Sequence, residues 1–112
     1  MILVEYMARM DGADPERALE LMEPDLSFLL ALPAARVRGS SRDDFAEYIA
    51  GRNAGDRIHV VRARAVDGHR EFVSGVVTEA GTATGTFVST AVVSPAGRLA
   101  RYMSCFDTEF DL

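Results

Sequence analysis

The chain has no lysine: all twelve of its basic residues are arginine. That excludes a lysine Schiff base and a P-loop lysine. An arginine- and alanine-rich, lysine-free composition also points to a GC-rich bacterial coding sequence. Cys105 is the one cysteine, so no internal disulfide can form and nothing calls for an oxidising compartment. The expected location is the cytoplasm. Two histidines, His59 and His69, join that cysteine at none of the spacings zinc needs, and neither a metal nor another cofactor is expected. A glycine-rich phosphate loop is absent too, because Gly81 and Gly85 fall in a strand-turn region and not before a helix. Positive charge is short: the net charge is -5, which argues against nucleic acid as a partner. No apolar run is long enough to span a bilayer. Met1 to Val4 is apolar, but Glu5 interrupts it and no basic residue precedes it, so no secretory signal is expected.

What the chain does have is an ordinary globular balance, with 48% hydrophobic and 26% charged residues over 112 positions. It is read as one domain, 1–112, able to bury roughly two thirds of its unfolded surface without staples. No internal repeat, low-complexity segment or long linker divides it.

The clearest pattern is at the end. Thr82 to Ser94 and Arg98 to Phe110 are long β-type runs joined by Pro95-Ala96-Gly97, which reads as a hairpin. Ile58 to Val66 and Glu71 to Thr78 precede them, with Asp67-Gly68 and Ala80-Gly81 as turns, giving a four-stranded antiparallel meander. Earlier in the chain the period is helical. Leu3, Tyr6, Met7 and Met10 predict a first helix stopped at Asp11-Gly12. Asp14 as N-cap, Pro15 at the first helical position and the stripe Ala18, Leu19 and Met22 predict a second, ended by Pro24. Asp25 to Leu32 is read as a strand, and Arg36-Val37-Arg38 as a brief extended piece. Ser41 and Asp44 resemble a capping box for a third helix, with Phe45, Tyr48 and Ile49 as its buried stripe and Gly51 and Asn53 at its end. The expected class is α+β: three N-terminal helices on a curved, mostly antiparallel sheet. Such a sheet can close over the helices as a cone around an apolar pocket.

In order and at this spacing, Tyr6 to Asp14, Met22 to Phe28, Arg38-Gly39 and Val92 to Leu99 resemble the cone-shaped nuclear-transport-factor-two-like superfamily, which includes ketosteroid isomerase and the SnoaL-like polyketide cyclases. The resemblance covers nearly the whole chain. It implies a small-molecule pocket inside the cone. Ketosteroid isomerase needs an aspartate base and an oxyanion hole of a tyrosine and a protonated aspartate. The resemblance puts Tyr6 at the tyrosine, but Leu30 at the base and Ser89 at the acid. A leucine moves no proton, and a serine is the weaker donor, so that mechanism is not expected. Asp25 and Asp107 do not fall at the base position.

Candidate site residues follow, each beside a plainer reading. Tyr6 and Ser89 are hydrogen-bond donors to a substrate oxygen, or a satisfied core tyrosine and an incidental small residue. His59 is the candidate for proton transfer, since its ordinary pKa suits that role. Its strand alternation class is Val61, Ala63 and Ala65, and the face that class occupies is open. His69, beside a turn, is expected to be exposed. Phe28, Leu30, Tyr48, Phe87, Tyr102, Ser104 and Phe106 are the expected ligand wall, with core packing as the plain alternative. Tyr102, Ser104 and Phe106 share one face of the last strand, and by resemblance this is the pocket face. Arg101, Met103, Cys105 and Asp107 share the other, expected to meet a second subunit. Cys105 has no histidine partner and is read as an interface or core residue. Arg62 and Arg64, placed with Ile58 and Val60, bind an anion or simply stay solvated. The function expected is a SnoaL-like protein holding a small hydrophobic or aromatic molecule, as a cofactor-free isomerase, cyclase or dehydratase. The alternative is a non-catalytic dimeric association or ligand-carrier module.

Overall fold

The computed structural model describes residues 1–112. Two α-helices, α1 (Ile2–Met10) and α2 (Arg42–Gly51), and a 3₁₀ segment (Pro15–Leu21) pack on one face of a six-stranded sheet. Its strands are β1 (Met22–Ala31), β2 (Arg36–Gly39), β3 (Arg57–Asp67), β4 (Arg70–Glu79), β5 (Thr82–Val93) and β6 (Leu99–Asp107), in the order β2-β1-β6-β5-β4-β3. The β3 to β6 meander is antiparallel as the sequence implies. β1 lies parallel to β6, so the sheet is mixed. No helix is long and apolar enough to cross a membrane.

α1 buries Leu3, Tyr6, Met7 and Met10, the stripe its period dictates. α2 begins where expected: Ser41 Oγ accepts the Asp44 backbone N–H at 3.0 Å. Asp44 reaches back to the N–H of Ser40, one residue before the capping-box position. The second helix differs from its expectation. It is 3₁₀ and ends at Leu21, and Asp14 makes no side-chain cap bond. Pro24 lies inside β1 rather than ending a helix. A proline has no ladder N–H to give, and the β1–β6 register is interrupted between Met22 and Ser27, around it.

The sheet bends where its ladder is broken. Register shifts fall in β3 at Arg62, in β5 near Thr84 and in β6 near Ala100. Such bulges increase local twist and re-aim side chains. At Gly75 and Gly85 a Cβ would run into the backbone oxygens of Val60 and Asp107, so only glycine permits the close approach. The bulge at Arg62 also splits the alternation class expected for β3. Val61 pairs with Gly75, but Ala63 pairs with Ser74 and Ala65 with Phe72, so the alternation flips between them. His59 and Val61 face the helices; Ala63 and Ala65 do not share their side.

α1 has no cap of its own at Met1. Glu71 on β4 supplies one: its carboxylate accepts the N–H groups of Leu3 at 2.8 Å and Ile2 at 3.3 Å, and the residue is only 8% exposed. A carboxylate there also suits the positive end of the helix dipole. Because hydrogen bonds to charged groups contribute about 1.5 to 3 kcal/mol, Glu71→Ala is expected to lower unfolding free energy by about 2 kcal/mol in urea denaturation. A loss under about 0.5 kcal/mol would show that α1 does not depend on this contact.

Candidate active site

Between the helices and the bent sheet lies a small cavity of about 70 Å³. Its wall is built from three directions. α1 contributes Tyr6 and Met10, α2 contributes Tyr48 and the residue that caps it, Arg52, and the sheet contributes Leu30, Val77, Phe87, Tyr102, Ser104 and Phe106. Arg57 and His59, at the start of β3, complete the wall. Of the candidate residues, Tyr6, Leu30, Tyr48, His59, Phe87, Tyr102, Ser104 and Phe106 are thus brought together around one cavity.

Two expected members stand elsewhere. Phe28 packs edge-on against Phe45 of α2, with ring centroids 4.8 Å apart, and is part of the aromatic core beneath the helix. Ser89, 1% exposed, lies behind the wall, its Oγ 2.7 Å from Ser104 Oγ. It therefore holds the Ser104 hydroxyl, which does line the cavity. β6 alternates as read: Tyr102 is buried and Ser104 and Phe106 are half-buried, while Arg101, Met103, Cys105 and Asp107 are exposed on the opposite face. His69 is exposed at its turn.

The sequence reading missed Asp11. It is the C-cap of α1, and its carboxylate spans 48 positions of sequence to β3. Oδ2 accepts the backbone N–H of His59 at 2.7 Å, and Oδ1 meets the imidazole Nδ1 at 2.8 Å. An ionised carboxylate only accepts, so Nδ1 must carry the proton and the neutral ring presents Nε2 as its basic nitrogen. The Asp11 side chain is 10% exposed and that of His59 21%, which leaves the ring within reach of a ligand while the orienting carboxylate is shielded. Phe87 flanks the ring edge-on at 5.0 Å. No local pattern marks this pair, since Asp11-Gly12 reads simply as a helix stop.

The phenols sit in the driest part of the site. Burial raises the pKa of Tyr6 well above 10, with the Tyr102 phenol adding to the effect and the Arg52 guanidinium offsetting part of it. Burial raises Tyr102 as well, partly offset by the Tyr6, Ser104 and Ser89 hydroxyls. Both phenols are therefore donors, not bases, at any ordinary pH. Their rings lie 4.9 Å apart, and Tyr6 also meets Phe45 edge-on, so neither hydroxyl is free to wander. No group of three His, Cys, Asp or Glu side chains is placed to hold a metal ion.

No protein-family model matches the sequence, and no curated protein matches it. Solved structures match well in shape. A candidate isomerase of the SnoaL-like family from Agrobacterium tumefaciens superposes with a TM-score of 0.76 over 95% of this chain and 94% of its own, at 15% identity. The chain has the SnoaL-like fold. A candidate ketosteroid isomerase from Kribbella flavida gives 0.78 over 99% and 78%, at 20% identity. A de novo designed protein with a curved β-sheet gives 0.74 over 98% and 85%, at 21% identity. That a designed chain shares the SnoaL-like fold is a reminder that function must be argued from the site.

The phenols give the site a pH signature. A raised native pKa means that the unfolded chain ionises first, so the stability held by the neutral phenols is complete below about pH 10 and falls as pH rises beyond it. Urea unfolding from pH 8 to 11 is expected to show that decline, flattened in Tyr6→Phe and Tyr102→Phe. Equal slopes in wild type and both variants would contradict the burial of these hydroxyls.

Proposed function

We propose that the protein binds a small hydrophobic or aromatic molecule inside the cone formed by its sheet and helices, and acts on it by acid-base chemistry without a cofactor, as an isomerase, cyclase or dehydratase. The observation that carries this reading is His59, bonded to Asp11 and standing in the wall of a cavity that also holds two protonated phenols. The arrangement has the parts a carbon-acid reaction needs. Nε2 of His59 takes a proton from a carbon beside a carbonyl, Asp11 holds the ring in the right tautomer and stabilises the imidazolium, and Tyr6 and Tyr102 donate to the oxygen on which charge develops. Protonated His59 then returns the proton at another carbon, or gives it to a departing hydroxyl.

This differs from the ketosteroid isomerase scheme in the place of the base. Leu30 occupies the position that the resemblance assigns to that enzyme's aspartate, and Ser89 the position of its acid; His59 supplies the base from another strand. Size supports a small substrate. A closed apolar void of about 150 Å³ holds benzene, and this cavity has about 70 Å³. A four-ring substrate does not fit inside it, and a single ring enters only part-way, the rest staying at the mouth beside Leu32, Tyr48, Arg52 and His59, all half-buried.

A second reading draws on the opposite face of the sheet. Phe72, Val88 and Met103 expose 38%, 48% and 51% of their surface there, beside Arg101 and Cys105. A row of apolar side chains rimmed by charge suits association of two copies through this face. In the alternative function, that association or the carriage of a ligand is the whole role, without chemistry.

Deuterium incorporation beside the carbonyl of cyclopent-2-enone and cyclohex-2-enone in D₂O, followed by proton NMR, separates the two. The protein is expected to accelerate it, and His59→Gln to remove about 100-fold or more of that acceleration. Exchange no faster than buffer, or undiminished in the variant, would leave the carrier reading in its place.

A further inference from the structure

The cavity is electrostatically one-sided. The chain carries 17 acidic residues against 12 arginines, yet no Asp or Glu lines the cavity, while Arg52 and Arg57 both do. Neither guanidinium is neutralised. The chain's ion pairs are made by Arg9, Arg17 and His59. Asp11, bonded to the wall residue His59, is occupied by it. Glu79 stands opposite Arg57 in the β3–β4 register but forms no ion pair with it.

Both arginines are nonetheless held in place. Arg57 donates from Nε to the Ala54 carbonyl at 2.9 Å and from Nη2 to the Asn53 carbonyl, which leaves Nη1 uncommitted. Arg52 donates from Nη1 to the Met10 carbonyl at 3.4 Å, closing the C-terminal end of α1 and leaving Nε and Nη2 free. Half-burial strips part of their water without supplying a counter-charge. A guanidinium fixed by backbone carbonyls, with spare donors and no acid, is a ready partner for a planar anion.

We propose that the ligand of this cavity is a small carboxylic acid, bound as its carboxylate by Arg52 and Arg57 at the mouth, with its apolar body against Phe87, Phe106 and Leu30. This rests on the reading of the cavity as the ligand site and narrows it to a class. The Arg52 charge reaches as far as the Tyr6 phenol, whose ionisation it favours. The carboxylate therefore sits at one end of a positive field whose other end faces the oxygen-binding phenols. It is a small acid, because a cavity of about 70 Å³ admits only part of an apolar body while the carboxylate stays at the mouth.

The test uses matched probes of nearly identical shape: benzoate beside benzamide, and 3-methylbutanoate beside 3-methylbutanamide, titrated against the labelled protein by NMR. Each acid is expected to bind at least about tenfold more tightly than its amide, the scale of a charge-assisted bond, with the preference shrinking as salt is raised. Arg52→Gln and Arg57→Gln are each expected to bring acid and amide closer while leaving the amide's affinity in place. Arg57 also braces the Asn53–Ala54 turn, so the Arg52 variant, which gives up only one long bond, carries the test if the other does not fold. Equal affinity for acid and amide in the wild type overturns the proposal, as does a preference that survives in Arg52→Gln. If the amides bind and the acids gain nothing, only the charge assignment fails; if neither binds, the cavity reading fails with it.

Discussion

The structure depends on how α1 is fastened to the sheet. Two carboxylates do it, one at each end and one from each layer. Glu71 rises from β4 to take the free N–H groups at the start of the helix, and Asp11 leaves the end of the helix to take the N–H of His59 on β3. Between these clamps lie Leu3, Tyr6, Met7 and Met10, the apolar stripe that fills the space under the helix. A stripe alone leaves a helix able to slide or rotate over an apolar floor. Carboxylates bonded to particular backbone groups remove that freedom, and the direction of Tyr6 and the position of His59 follow from it.

The same fastening orients the candidate site. Asp11 spends one oxygen on the backbone and the other on the imidazole of a single residue, so the bond that anchors the helix also selects the histidine tautomer. Burial divides the cavity: the phenols are kept protonated by their dry surroundings, while the histidine stands at the wetter edge. Ser89 adds a further layer by fixing Ser104 from behind. Arg52 belongs to both roles as well, since it donates to the Met10 carbonyl at the end of α1 and brings a positive charge to the cavity.

Much of this was legible in the residues. The alternation Tyr102, Ser104, Phe106 against Arg101, Met103, Cys105 sorts β6 into its two faces, because no bulge interrupts that stretch. Ser41 and Asp44 announce α2 by local hydrogen bonding that needs no tertiary partner. What was hidden is what depends on the rest of the chain. β3 reads as one regular strand until the bulge at Arg62 reverses its faces, and that bulge exists only in its pairing with β4. Pro24 reads as a helix stop because proline usually is one, whereas here β1 begins before it and simply skips its ladder bond. Asp11 and His59 are two unremarkable residues 48 positions apart, joined only when α1 lies across β3. Phe28 shows the converse: an aromatic of the right type on the right strand that the core under α2 claims for itself.

The account turns on one proton, the one on Nδ1 of His59. Nitrogen-15 NMR of the neutral imidazole reads its position directly, since protonated and bare ring nitrogens resonate far apart. His59 is expected as the Nδ1–H tautomer in the wild type, and Asp11→Asn is expected to lose it. A ring protonated at Nε2, or a tautomer indifferent to Asp11, would contradict it.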